Sequence, residues 1–221
     1  MQTPSREAIV AEILRRYPRT YGEELGIRSL ERPSPLFKLL VMALLMSARI
    51  RGSVASAAAG ALFARGWTTA AAMAQAGWEE RVRTLNRSGY ARYDERTATM
   101  LGDTSALLVD RYRGDLRRLR AAAGNDPDEE RRLLEECKGI GDVGADIFFR
   151  EVQRSWSELY PFADQRALSA AGQLGLGRDV DALAELATGI DFVRLVNGLV
   201  RVDLDGSYDE ITARADATQT P

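Results

Sequence analysis

The sequence has no histidine and only one cysteine, Cys137, in its 221 residues. A single cysteine cannot form a disulfide within the chain, and it cannot supply a four-cysteine iron–sulfur or zinc site. The absence of histidine removes both the usual general base and the commonest metal ligand. Acid–base chemistry must therefore come from Asp, Glu, Lys, Tyr or water, and we expect neither a metal nor another cofactor.

Long apolar runs are also missing. The longest, Leu36 to Met46, contains Lys38 and is too short to span a bilayer. The N-terminus has no positively charged segment followed by an apolar run, so no signal peptide is indicated. We therefore expect a cytoplasmic protein with no membrane partner.

The excess of charge of either sign is small, with a net charge of −2 and a pI of 5.5. This balance argues mildly against non-specific coating of nucleic acid, which depends on clustered Lys and Arg. A local patch matters more than the sum, however, and five arginines lie within residues 111–120, followed by four acidic residues within 126–130. We interpret these groups either as solvated helix faces that exchange ion pairs or as a nucleic-acid patch.

The periodicity of apolar residues is helical almost throughout, which predicts an all-α fold. The stretch Leu36 to Leu45 is apolar nearly all round and indicates a central buried helix. Ser5 is a plausible N-cap for a first helix that ends at Pro18. Further helices are predicted over about 52–66, 69–75, 78–85, 93–112, 116–122, 126–137, 143–156, 163–172, 180–186 and 192–200, with another near Tyr208. A brief alternation at 199–204 is ambiguous, and we predict that residues 216–221 are disordered.

The most informative segment reads Lys138-Gly139-Ile140-Gly141-Asp142-Val143-Gly144-Ala145. Two glycines one residue apart leave backbone N–H groups bare where a helix begins, and such groups bind phosphate oxygens. Asp164 follows downstream, after Tyr160-Pro161-Phe162-Ala163. A phosphate-binding turn with a nearby acid is typical of a protein that acts on a nucleic-acid backbone or base. A lone G-x-G, however, often only caps a helix.

Residues 138–164 resemble the helix–hairpin–helix and Gly/Pro-Asp signature of base-excision DNA glycosylases, the endonuclease III superfamily. The family hairpin is written L-P-G-x-G, then three variable positions, then Ala, where this chain has 137–145. Upstream, 35–40 and 44–49 are similar to the family's P-F-E-L-L and L-L-S-A-Q segments. Residues 89–93 are similar to its G-Y-x-x-K/R-Y turn.

The resemblance runs in consistent order from about Ser34 to Gly177, and it implies a two-lobed helical fold with DNA bound in a cleft between the lobes. One lobe would be a helical barrel, 34–155, that ends in the helix–hairpin–helix. The other would combine 1–33 with 156–215. The implied partner is double-stranded DNA with a damaged or mismatched base, and a monomer is expected.

The resemblance also implies roles for individual residues. The hairpin would hold a phosphate next to the damaged nucleotide through Lys138, Gly139, Ile140, Gly141, Val143 and Gly144. The target nucleotide would be flipped out of the duplex, and Asp164 would stabilise the positive charge that develops at its sugar or activate the attacking water. The other interpretation of Asp164 is an N-cap of the following helix, and one residue can do both.

Four further residues are implied to contact DNA. Arg49 lies where relatives carry a glutamine that fills the gap left by the extruded base, and it reads equally well as an ordinary surface arginine. Arg87, Tyr90 and Arg92 surround the Gly89 turn and could contact phosphates. Their other interpretation is solvated loop charge beside a half-buried aromatic ring.

Three departures from the family pattern narrow the function. Bifunctional members carry a Schiff-base lysine where this chain has Val143, so monofunctional hydrolysis without AP lyase activity is expected. The family's four-cysteine cluster is absent, and Asp142 places negative charge where a phosphate should approach. The alternatives are therefore a catalytically inactive DNA-binding protein of the same fold, or an interaction protein that does not bind DNA. No residue indicates which lesion is the substrate.

Overall fold

The computed structural model describes residues 4–219, and every regular element in that range is helical, as predicted. It contains the α-helices α1 Arg6–Arg16, α2 Tyr21–Glu24, α3 Pro33–Met46, α4 Gly52–Ala64, α5 Ala70–Gln75, α6 Trp78–Arg87, α7 Asp94–Tyr112, α8 Leu116–Ala122, α9 Pro127–Glu135, α10 Asp142–Val152, α11 Gln165–Gln173, α12 Val180–Leu186, α13 Gly189–Asp205 and α14 Tyr208–Gln219. A short 3₁₀ turn covers Ser157–Leu159. Within residues 4–219, no helix is both long enough and apolar enough to cross a membrane.

The chain divides into two compact units. The central unit comprises residues 22–158, and the terminal unit combines 4–21 with 159–219. Residues 22–33, predicted to belong with the termini, lie in the central unit because hydrogen bonds fasten them to the end of α10. The N–H of Gly22 donates to Glu151 at 3.2 Å, and Arg154 donates to the carbonyl of Ile27 at 3.0 Å.

Helix α3 is the core of the central unit, and the predicted central buried helix is confirmed. Nine of its fourteen residues are buried, from Leu36 to Leu45 with Lys38 the exception. A helix that is apolar nearly all round is stable only when neighbours cover every face. Here α4, α8 and α10 pack against it.

The terminal unit is built on α1 and α13, which approach closely at Gly198. A Cβ atom on Gly198 would lie 2.5 Å from Cγ2 of Ile13, so only glycine permits this crossing. Ser5 caps α1 as predicted, since its side chain accepts a hydrogen bond from the N–H of Ala8. The ambiguous segment 199–204 lies within α13, where the helix packs on both α1 and α11.

The predicted disordered tail is wrong for Asp216–Gln219, which continue α14. The helix extends this far because it packs on α1 and buries Ile211 and Ala215 almost completely. Arg16 also forms a salt bridge of 2.6 Å with Glu210. Residues 220–221 lie outside the described range.

Candidate functional site

The glycine turn between α9 and α10, residues 136–141 and hereafter the hairpin, has a backbone that only glycine can adopt at one position. Gly139 has φ of +89°, in the left-handed region. A Cβ atom there would lie 2.8 Å from Sδ of Met100 and 3.2 Å from Cγ of Leu44. Gly139 is therefore required both for its backbone conformation and for the close approach of α3 and α7.

Two hydroxyl groups from neighbouring elements contact the hairpin backbone. Thr104 of α7 donates to the carbonyl of Lys138 at 2.8 Å. The Ser47 hydroxyl, at the end of α3, donates to the carbonyl of Leu44 at 2.8 Å, and its oxygen lies 3.4 Å from the carbonyl oxygen of Gly139. Neither residue is predicted from the sequence as part of the site. A hydroxyl that donates to a distant carbonyl leaves no local pattern in the sequence.

The start of α10 presents backbone donors. Gly141 is its N-cap and provides no side-chain cap, and a Cβ atom there would have no neighbour within 4 Å. The N–H groups of Asp142, Val143 and Gly144 have no acceptor within the described range, as the first turn of a helix dictates. Together with the helix dipole, these donors favour a nearby anion, and phosphate binding at this position stays a prediction.

Ile140 has a different role from the one predicted. Its side chain is only 4% exposed, and its N–H donates to the carbonyl of Cys137 at 3.0 Å. The N–H is therefore already occupied and cannot serve a phosphate. Ile140 instead packs against Gly144, whose hypothetical Cβ would lie 3.3 Å from the Ile140 Cδ1 atom.

Arg131 of α9 forms an ion pair with one of the two aspartates near the start of α10. Its guanidinium forms a salt bridge of 2.6 Å with Asp146, contacts the carbonyl of Asp142 at 3.4 Å and lies 5.1 Å from the ring centroid of Phe149. The exposed carboxylate of Asp142 forms no ion pair in residues 4–219. Val143 beside it is 59% exposed.

The loop that carries Arg49 adjoins the hairpin. This loop, residues 47–51, begins at Ser47, whose hydroxyl oxygen lies 3.4 Å from the carbonyl oxygen of Gly139. It leads into α4, where Val54 lies 3.8 Å from the position of a Cβ atom on Gly89. The Gly89 turn, residues 87–92, therefore contacts the start of α4.

The hairpin, the loop 47–51 and the turn 87–92 consequently form one connected region of the central unit, hereafter the three-loop surface. Its predicted contact residues Arg49, Arg87, Arg92 and Lys138 are all exposed. None of them forms an ion pair with a carboxylate in the described part of the chain. The three-loop surface thus retains uncompensated positive charge.

Tyr90 does not contribute to the three-loop surface, contrary to the prediction. Its side chain is fully buried, and its hydroxyl donates to the carbonyl of Leu45 at 2.9 Å. Burial also raises the pKa of this phenol. Tyr90 anchors the turn to the end of α3 and cannot reach a ligand.

The arginines of residues 111–120 differ from those of the three-loop surface because three of the five are paired with carboxylates. Arg111 pairs with Glu136, Arg117 pairs with Asp115, and Arg120 pairs with Glu158. These three arginines are ion-paired, as one interpretation expected, but their partners lie outside the acidic run 126–130.

Asp164 is the N-cap of α11, in the terminal unit, as one of its two interpretations predicted. Its Oδ1 accepts a hydrogen bond of 2.9 Å from the N–H of Ala167, and the residue is 9% exposed. The segment before it is anchored by Tyr160, whose ring packs edge-to-face on Phe192 with centroids 5.3 Å apart. The cap bond fixes the direction of the carboxylate, and its catalytic role stays a prediction.

Comparison with known proteins supports the fold. No family model and no curated protein matches the chain. Among solved structures, it is similar to a trapped endonuclease III–DNA covalent intermediate, an estranged-adenine complex, with 17% identity and a TM-score of 0.51. The match covers 87% of this chain and 82% of that chain. The fold is endonuclease III-like. At 17% identity the likeness establishes only the fold. This is the fold that the sequence resemblance predicted.

Proposed function

We propose that the protein is a monofunctional DNA glycosylase that acts in base-excision repair on a damaged or mismatched base in duplex DNA. One observation carries the proposal. In a chain with an endonuclease III-like fold, the hairpin presents unoccupied amide donors at the start of α10, and an aspartate with a fixed orientation caps α11. We further propose that the protein acts as a cytoplasmic, nucleoid-associated monomer.

The binding step would use the three-loop surface together with the first turn of α10. The N–H groups of Asp142, Val143 and Gly144 would donate to one phosphate, while Lys138 and Arg49 would add long-range attraction. Contacts of this kind set the position of the duplex without reading its sequence. They also make affinity fall steeply with salt, because each neutralised phosphate releases counterions.

The chemical step would use Asp164. The N-glycosidic bond breaks as positive charge develops at C1′ of the flipped nucleotide, and a carboxylate there stabilises that charge more than the neutral ground state. Water then forms the new C1′–O bond and gives a proton to the carboxylate, while the departing base keeps the bonding electrons and takes up a proton from solvent, to which the carboxyl group afterwards returns its own. Because the cap bond to Ala167 already holds the side chain, little reorientation is needed.

Val143 would make the reaction monofunctional. An amine at this position could attack C1′ and form a Schiff base, but an isopropyl group cannot. The product would be an abasic site in an intact strand.

A panel of duplexes tests the proposal, each carrying uracil, an oxidised base or an alkylated base. Incubation with the protein should produce strand breaks in at least one duplex only after alkali treatment. Breaks before alkali would contradict monofunctional hydrolysis, and no base release from any duplex would favour the second candidate.

The second candidate is a catalytically inactive DNA-binding protein of the same fold. Two observations favour it: exposed Val143 supplies no nucleophile beside the hairpin, and the exposed, unpaired carboxylate of Asp142 at the first position of α10 hinders the placement of a phosphate at the amide donors. The variant Asp142→Asn removes this charge and should tighten DNA binding under either candidate. Base release by the wild-type protein separates the two.

A further inference from the structure

A shallow groove runs between α4 and α6 in the central unit. Its lining consists of the residues Ala61, Ala64, Arg65, Glu80, Arg83, Thr84, Arg87 and Ser88. Half of these residues have small side chains, which allow the backbone of a bulky ligand to approach closely. The proposed base-excision chemistry does not use this groove.

The groove is positively charged. Its three arginines and one glutamate leave a net charge of +2. Arg65 and Glu80 neutralise each other through a salt bridge of 2.9 Å. Arg83 and Arg87 form no ion pair with a carboxylate in residues 4–219, so the charge of the groove rests on these two side chains.

The placement of Arg83 and Arg87 on α6 favours an anionic ligand. They are four residues apart and therefore lie on one face of the helix, where both can contact one polyanion; Glu79, four residues before Arg83, forms no ion pair with it in residues 4–219. Arg81 on the same helix points inward instead and donates to the carbonyls of Met73 and Ala76. Helix α6 therefore carries one buried, structural arginine, Arg81, and two exposed arginines, Arg83 and Arg87.

The two hydroxyl groups that line the groove are not available as donors to such a ligand. The Thr84 hydroxyl donates to the carbonyl of Glu80 at 2.8 Å, and the Ser88 hydroxyl donates to the carbonyl of Leu85 at 2.7 Å. With both hydroxyl hydrogens already used, an anion in the groove would be bound by guanidinium groups. Guanidinium groups match the geometry of phosphate oxygens well.

The groove is continuous with the three-loop surface, because Arg87 belongs to both. A polyanion that contacts Arg49 and Arg92 therefore meets Arg87 and then Arg83 along α6. We infer that the α4–α6 groove binds the DNA backbone beyond the three-loop surface, with Arg83 as an additional phosphate contact. This inference rests on the proposed function, because it takes the polyanion to be duplex DNA.

The salt dependence of DNA affinity tests the inference. For Arg83→Gln, the slope of log affinity against log salt should be shallower than that of the wild-type protein by about 0.9, the loss of one phosphate contact. Affinity at low salt should fall by about three- to tenfold for every duplex sequence, because phosphate contacts do not read bases. Arg83→Lys should keep the wild-type slope, since it keeps the charge.

Arg28→Gln in the central unit is the matched control, because Arg28 is exposed, lies outside the groove and outside the run 111–120, and forms no ion pair within the described residues. It should leave the slope unchanged. If the wild-type protein binds DNA and Arg83→Gln behaves like Arg28→Gln, the groove inference is overturned while the proposed function stands. If the wild-type protein shows no salt-dependent binding to duplex DNA, both are overturned.

Discussion

Oδ1 of Asp164 accepts a hydrogen bond of 2.9 Å from the backbone N–H of Ala167. The proposed catalytic residue is thus also the N-cap of α11. The two roles depend on different properties of the side chain, since a cap needs only an acceptor oxygen whereas the chemistry needs a negative charge. Substitutions at this position can therefore separate stability from catalysis.

Asp164→Asn is expected to keep the stability of the protein within about 0.5 kcal/mol of wild type, because Asn caps helices as well as Asp. Asp164→Ala should lose about 1 kcal/mol, the usual cost of removing a cap. Urea unfolding measures both values. Equal destabilisation by the two substitutions would show that the cap bond does not hold the N-terminus of α11.

Two glycines of the hairpin should respond differently to alanine. Gly139→Ala is expected to destabilise the protein by about 1–3 kcal/mol, because it combines a positive φ with a Cβ position 2.8 Å from Met100. Gly141→Ala should change stability by less than about 0.5 kcal/mol, since its φ is −119° and no atom lies within 4 Å. Thermal unfolding compares the two variants.

The same pair also tests the proposed phosphate site. Gly141→Ala should fold normally yet bind duplex DNA more weakly, because a methyl group at the N-cap limits how closely a phosphate can approach the backbone there. Unchanged DNA affinity in this variant would argue against a phosphate at the hairpin.

The stability of the central unit should decrease as pH rises from about 4.5 to about 8. Glu130 is fully buried, and its carboxyl faces Glu158, which is paired with Arg120. Burial first, and then the Glu158 and Asp126 carboxylates, raise the pKa of Glu130 from 4.5 to about 8, against the opposing effect of Arg120. We assign the shared proton to Glu130, because Arg120 stabilises the charged form of Glu158.

The direction of the pH dependence of stability follows from this raised pKa. The stability that Glu130 contributes is fully present below about pH 4.5 and is lost as pH rises through about 8. The free energy of unfolding, measured in urea between pH 5 and 9.5, should therefore fall across this range. Glu130→Gln should flatten the decline, because an amide stays neutral and can still donate to Glu158.

Glu129→Gln provides the comparison for Glu130→Gln. Glu129 pairs with Arg132 on the surface, and the hydrogen bond from that arginine lowers its pKa. Its contribution is lost only as pH falls through its lowered pKa, so the decline between pH 5 and about 8 should match that of the wild-type protein. A decline that persists in Glu130→Gln would contradict the proposed protonation of Glu130.

Borohydride reduction should trap no covalent complex between the wild-type protein and a duplex that contains an abasic site. Residue 143 is valine, so the amine required for a reducible Schiff base is missing there. Val143→Lys is the positive comparison, because the position is 59% exposed and tolerates a long side chain. Trapping of the wild-type protein would indicate lyase chemistry at another amine.

Much of the fold could be predicted from the sequence because local interactions define the ends of its helices. Thr69 and Asp126 cap α5 and α9 through bonds that span only three residues. The helical extent of α14 was missed, because it depends on packing against α1, which lies far away in the sequence.

The candidate site was only partly predictable for the same reason. Glycines and their spacing indicate a tight turn, and the structure places Arg49 and Arg87 on a surface connected to it. Burial cannot be read from a single loop, and Tyr90 was therefore assigned to the surface although it lies inside. Thr104 was missed because its partner, the carbonyl of Lys138, lies 34 positions along the chain.

The most direct measurement is the rate of base release under single-turnover conditions by the wild-type protein and by Asp164→Asn, with the best duplex of the lesion panel. The wild-type protein should convert the duplex to alkali-labile product. The variant should be slower by about a hundredfold or more, while both bind an abasic-site analogue with equal affinity. Equal rates of base release would contradict the assignment of the chemistry to Asp164.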